Sequence, residues 1–231
     1  MKLLSTGVNG LDELLQGGVP EKHMIVVVGG MGTGKSTLAL QFLVNGLKNG
    51  EKSVYISLEE QESEIKDSAR GYGWDLQPFI DNELLVLIRL DPNDIKTTLL
   101  RIKNELPNLI KKFGATRLVI DSITLFEMMF SDEAERRLNL FEMFAIFKET
   151  GITALITSEA SRNDAYCSRY GLVEYVADGV IILRYVRPDQ LRDVKLAAEV
   201  VKMRRHRHSR SIKPYDISSE GIVVHSESEV F

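Results

Sequence analysis

An α/β fold with a mostly parallel sheet flanked by helices, closed by antiparallel strands near the carboxyl end, follows from three features of this sequence. Six short runs of Val, Ile and Leu are spaced along the chain. The longer gaps between them carry helical periodicity. Beyond residue 197 the alternation gives way to extended stretches and a turn.

The six runs are "MIVVVGG" (24–30), "SVYISLEE" (53–60), "ELLVLIRL" (83–90), "TRLVIDS" (116–122), "ITALITSEA" (152–160) and "GVIILRY" (179–185). Each is apolar on both faces, as a parallel strand covered by helices on both sides must be. A helix over 36–48 follows the first strand directly. A second, over 95–113, carries Leu99, Ile102, Leu106, Leu109 and Ile110 and is interrupted by Pro107. A third, over 133–149, sets Leu138, Phe141, Ala145 and Phe147 near one face. Strands joined through helices imply right-handed crossovers, with functional sites at the carboxyl ends of the strands. The tail supplies "AAEVVKMR", "IKPYDI" and "SSEGIVVH", antiparallel strands with a turn at Glu220 and Gly221. With no repeat, linker or low-complexity tract, residues 1–231 are expected to form a single domain.

Composition excludes several classes. The chain carries 29 Lys and Arg against 33 Asp and Glu, a net charge of −4, so general affinity for polyanions is not expected. The single cysteine, Cys167, excludes an internal disulfide. The opening residues lack the apolar core of a signal peptide, and no apolar run approaches membrane-spanning length. A cytoplasmic protein without membrane contact is expected. Positive charge is concentrated in "KMRRHRHSR" (202–210).

The chemistry enters with "GGMGTGKST", which fits G-x-x-x-x-G-K-[ST] between a strand and a helix. Backbone N–H groups over Gly30, Met31, Gly32, Thr33, Gly34, Lys35, Ser36 and Thr37 would curl around phosphate oxygens at a helix N-terminus. Lys35 would bridge the terminal phosphates and Ser36 would ligate Mg²⁺. Asp121, ending the strand "RLVID", would hold the metal, and Glu59 or Glu60 in "SLEE" would orient or deprotonate water. Adjacent residues on a strand end point to opposite sides, so one glutamate faces the nucleotide and the other braces it or faces a neighbour.

Taken in order, "STGVNGLDELLQGGVPEKHMIVVVGGMGTGKSTLALQFL", "YISLEE", "LVIDS", "TSEA", "VADGVIIL" and "VVKMRRHRHSRSIKPYDISSEGIVV" resemble the KaiC-like family of RecA-superfamily ATPases over nearly the whole chain. The resemblance implies a RecA-type P-loop NTPase core, usually assembled as a hexameric ring, with ATP and Mg²⁺ between subunits and Glu59 and Glu60 as the catalytic pair. It also implies that a K-[ML]-R-x-x-x-H segment reaches the neighbour's ATP, which nominates Lys202, Arg204 and His208, with His206 between them. Extended backbone would place these four on one face and Met203, Arg205 and Arg207 on the other. Ser158 and Glu159, after the next strand, are candidate sensors of nucleotide state by position alone. Family members named for the clock carry two tandem repeats where this chain holds one. Glu174 and Tyr175 stand where the second repeat of those proteins carries its phosphorylated Ser and Thr, so self-phosphorylation is not expected at that pair.

The leading reading is an oligomeric Mg²⁺-dependent ATPase acting as a nucleotide switch with composite sites, its Lys202 and Arg204 completing the neighbouring site. An unidentified protein partner is compatible with this. One alternative is a DNA-dependent recombination or repair ATPase that uses Arg205, Arg207, Arg210 and the 163–171 loop with its tyrosines. The other is a slowly hydrolysing, nucleotide-gated scaffold. Nucleic acid is not the favoured partner, because the chain has no separate helical DNA-binding domain and is acidic overall.

Overall fold

The computed structural model describes residues 2–186 and 194–230. A two-stranded ribbon of β1 (Leu3–Leu4) and β2 (Val19–Pro20) encloses α1 (Leu11–Leu14). The core then runs β3 (Met24–Gly29), α2 (Lys35–Lys48), β4 (Ser53–Ser57), α3 (Glu62–Gly71), α4 (Gln77–Asp81) and β5 (Leu85–Arg89). It continues through α5 (Ile95–Leu100), a π-helical segment Arg101–Glu105, α6 (Leu106–Phe113), β6 (Arg117–Asp121), α7 (Ile123–Met128), α8 (Glu133–Glu149) and β7 (Thr153–Glu159). It ends with α9 (Val173–Val176), β8 (Gly179–Val186), β9 (Lys195–Met203), β10 (Lys213–Ser218) and β11 (Gly221–Val224).

Among the described residues the large sheet has nine strands in the order β11-β10-β9-β8-β3-β7-β6-β4-β5. The six strands from β8 to β5 are parallel, and β9, β10 and β11 add on antiparallel, as the alternating and then extended sequence predicts. Period-two alternation divides the strand side chains between two layers. Val27, Tyr55, Val119, Leu155 and Ile181 pack with α1, α2 and α3, whereas Val26, Val54, Leu118, Ile156 and Val180 pack with α6 to α9. Each fully buried Leu, Ile or Phe contributes about 2 kcal/mol to holding these layers. Arg117 is buried as well, its guanidinium paired with Glu51 at 2.7 Å, donating to Phe42 O at 2.8 Å and lying over the Phe42 ring, so it fastens α2 to β6.

Three local expectations are corrected. The helix over 95–113 is not broken by Pro107. The turn before it widens to the π form, and the proline, which has no N–H to offer, sits in the first turn of α6. Strand β4 ends at Ser57, so Glu59 and Glu60 lie in a bend and strand alternation does not govern them. Strand β9 ends at Met203, and Arg205 takes a left-handed φ of 59°, which turns the chain and destroys the predicted common face through His208.

Candidate active site

The carboxyl ends of the central strands β3, β7, β6 and β4 lie side by side at one end of the sheet, where Gly29 is in register with Glu159 and Ser57 with Asp121. From β3 the chain curls through residues 30–34 into α2. Gly34 has φ 81°, a conformation that a side chain disfavours, and a Cβ there would lie 2.7 Å from Ile217 Cδ1. Inside the curl, Gly30 O accepts hydrogen bonds from Thr33 Oγ1 at 2.8 Å and from Lys35 Nζ at 2.9 Å. Burial lowers the Lys35 pKa, opposed by the negative charges of Asp121, Glu159 and Glu59. Ser36 and Thr37 form the first turn of α2, while Met31 at the tip of the loop is 89% exposed.

Asp121 shares the face of Tyr55 and Val119, and hence of α2. Tyr55 donates its hydroxyl to Oδ2 at 2.8 Å, and Thr157 Oγ1 donates to Oδ1. Both donors are buried, and burial pushes the Tyr55 phenol well up, so it stays protonated. Beyond β4, Glu59 is exposed and Glu60 half-buried. Burial raises the Glu60 pKa, and the charges of Asp121, Glu59 and Glu64 raise it further. A cavity of ≈ 400 Å³ runs beside α2, lined by Ser36, Thr37, Glu60 and Tyr72 among others. Tyr72 hydrogen-bonds Thr37 Oγ1 at 3.0 Å and stacks on Trp74. On the other flank of the loop a cavity of ≈ 710 Å³ is bounded by Gly30, Met31, Glu159, Arg162 and Arg169. Glu159 pairs with Arg169 at 3.2 Å, whereas Ser158 is buried against Thr124.

The basic segment lies elsewhere. Lys202 is opposite Val180, which is opposite Val26, so it sits two strands across from β3 and about 10 Å back along the strand direction from Gly29, on the side away from the loop. Lys202 Nζ donates to Glu174 O at 2.6 Å and Arg204 Nη2 to Tyr175 O at 2.9 Å, so both cations cover carbonyls of α9. Burial lowers the Lys202 pKa, and the Arg204 charge adds to this. His206 instead bonds Leu15 O at 2.8 Å, and His208 Nδ1 bonds Ser209 O. Lys202 and Arg204 are therefore together and the histidines apart.

The glycine-rich loop at the head of α2 lies two strands from Asp121, and the family model for the KaiC ATPase matches residues 4–229. The chain belongs to the KaiC ATPase family. It is 32% identical over 233 residues to circadian clock protein KaiC3 of Synechocystis, covering 96% of this chain and 45% of the relative. It is 30% identical to UPF0273 protein PH0284 of Pyrococcus horikoshii, covering 97% of this chain and 94% of the relative. The crystal structure of KaiC-like protein PH0186 from Pyrococcus horikoshii superposes with a TM-score of 0.86 at 32% identity, covering 97% and 99% of the two chains. The chain thus spans about half the length of the KaiC clock proteins it matches. Membership makes this a RecA-type, ATP-binding ATPase fold. No helix among the described residues is long and apolar enough to cross a membrane.

Within this KaiC-type site, sequence reasoning missed Tyr55, Thr157, Tyr72 and Tyr215. The first two flank Asp121 from the neighbouring strands β4 and β7, a relation that only the sheet order brings out. It also missed Glu127 on α7, which is fully buried, with no hydrogen-bond partner for either carboxyl oxygen among the described residues. Burial raises its pKa to about 8, helped by the charge of Glu174 and opposed by Arg136.

Proposed function

We propose that this chain is a single-domain, cytoplasmic Mg²⁺-dependent ATPase that works as an oligomeric nucleotide switch, in a hexameric ring, with each active site shared between two subunits. The observation that carries the reading is the convergence of Lys35, Ser36, Glu60 and Asp121 at the carboxyl ends of the central strands, close enough for Asp121 and Glu59 to act on the charge of Lys35.

Mg²⁺ fits the donor set. Ser36 and Asp121 offer hard oxygen ligands, and among the described residues no group of three or more His, Cys, Asp or Glu could hold a metal alone, so phosphate oxygens would complete the shell. When bound, the ion would neutralise phosphate charge. The chain's own residues account for the rest. The amides from Gly30 to Thr37 cradle the phosphates, and Lys35 leaves Gly30 O for the terminal oxygens. Tyr55 and Thr157 hold the Asp121 carboxylate in one orientation. Glu60, half-buried with a raised pKa, accepts the proton of the attacking water, and Glu59 flanks it. The cavity against Tyr72 offers an aromatic wall to the base.

Lys202 and Arg204 are too far along the sheet to serve their own loop, which favours their service to a neighbour's phosphates. His208 and His206 have a weaker claim, since their backbone contacts hold them apart from that pair. Stacking of nucleic-acid bases on the 163–171 loop is disfavoured, because the guanidinium of Arg184 lies 4.6 Å over the Tyr166 ring and that of Arg136 lies 4.0 Å over Tyr170.

The deciding experiment is light scattering with and without Mg-ATP, followed on the same samples by turnover across protein concentration. A ring whose specific activity rises with assembly is expected. A monomer that hydrolyses at constant specific activity refutes shared sites, and salt-sensitive stimulation by DNA would favour a repair ATPase. Assembly with hardly any turnover in the absence of a partner would favour the scaffold reading.

A further inference from the structure

The phosphate loop is held from behind by the carboxyl-terminal strands. Tyr215, buried on β10, donates its hydroxyl to Thr33 O at 2.6 Å. Burial pushes this phenol's pKa up, so it remains a donor across the working range. The neighbouring strand β11 is itself fixed to α2: Ile222 N donates to Gln41 Oε1 at 2.8 Å, and Gln41 Nε2 donates back to Ile222 O and to Gly7 O. Ile217 and Ile222 close on Gly34, where a Cβ would lie 2.7 Å and 3.1 Å from their Cδ1 atoms.

A trans peptide is planar, so the C=O of Thr33 and the N–H of Gly34 point in opposite directions. Fastening the carbonyl to Tyr215 directs the Gly34 N–H away from β10. Glycine has little conformational preference of its own, so nothing intrinsic to residue 34 prevents this peptide from turning over and offering a carbonyl oxygen to an anion. We propose that Tyr215 is a positioning residue whose hydroxyl holds the Thr33–Gly34 peptide with its N–H towards phosphate. The inference rests on the phosphate-binding role of the loop and deepens it: the residue tunes affinity for the phosphate part of the nucleotide and leaves the base and sugar part alone.

The test is Tyr215→Phe, with Mg-ADP affinity measured by calorimetry and adenosine affinity by competition against a fluorescent nucleotide. Loss of one buried hydrogen bond predicts a Kd for Mg-ADP about tenfold higher and an unchanged Kd for adenosine. Mg-ADP affinity within about twofold of wild type, or equal losses for both ligands, would overturn the proposal, because a merely structural tyrosine would move the two together or neither. Failure of the wild-type chain to bind Mg-ADP would instead overturn the ATPase reading. If Tyr215→Phe does not fold, 3-fluorotyrosine placed at 215 keeps the ring and strengthens the donor. Tighter Mg-ADP binding is then expected, and unchanged binding counts against the proposal.

Discussion

Replacing Glu127 by glutamine should make the protein more resistant to alkaline unfolding, by an amount that follows from the burial of the carboxyl group. Its pKa rises from an ordinary 4.5 to about 8 on folding, so the native state binds a proton that the unfolded chain releases above 4.5. With the folded pKa above the unfolded one, the stabilisation tied to this proton is complete below pH 4.5 and drains away as pH climbs towards 8. Between the two pKa values, each step of one in pH costs about 1.4 kcal/mol, so the wild-type chain loses about 3 kcal/mol between about pH 5.5 and about pH 8.5 through this group alone. The amide introduced by Glu127→Gln does not titrate, and any cost of burying it unpaired is the same at both pH values and cancels. Urea unfolding of wild type and Glu127→Gln at the two pH values measures the difference of differences. A gap between the two proteins that does not change with pH would refute the argument and mean that the carboxyl group titrates normally, through water or a partner.

The site sets further expectations. Lys202→Ala or Arg204→Ala should leave nucleotide affinity near wild type and lower turnover, by up to the roughly 10³ typical of an in-trans cation. Wild-type turnover in both variants, with assembly intact, would remove these residues from the mechanism. Tyr55→Phe deletes one of two donors to Asp121, and the Mg²⁺ concentration for half-maximal turnover should rise about tenfold, as loss of a hydrogen bond to a charged group implies. An unchanged Mg²⁺ dependence would mean that Thr157 alone orients the carboxylate.

Much of the architecture was legible because parallel strands covered on both faces have few ways to be written, and each of the six apolar runs became a strand. The glycine-rich turn into α2 was legible for a similar reason: the left-handed backbone at Gly34 and its close approach to Ile217 favour glycine. What stayed hidden depends on contacts between distant segments. Tyr55 looks like an ordinary strand aromatic until β6 brings Asp121 beside it, and Tyr215 is separated from Thr33 by most of the chain. Glu127 lies in "TLFEMM", where a charged residue suggests an exposed helical position, yet it is fully buried in the fold, beside Arg136 of α8, which donates to its backbone carbonyl. The left-handed turn at Arg205 was hidden because arginine carries no signal for that conformation, and this turn separates His206 and His208 from Lys202 and Arg204.

The register that sets Lys202 opposite Val180 gives the molecule polarity. If one end of the sheet receives phosphate and the other donates cations, two copies meet head to tail, and every interface has a giver and a taker. Two inactive proteins, one lacking Lys35 and the other lacking Lys202, would then repair each other when mixed. In an equal mixture about a quarter of the interfaces would pair an intact loop with an intact cation, and the remainder would stay silent. A defect in one subunit would therefore be felt by the neighbour on one side only, giving the assembly a direction in which information passes around it.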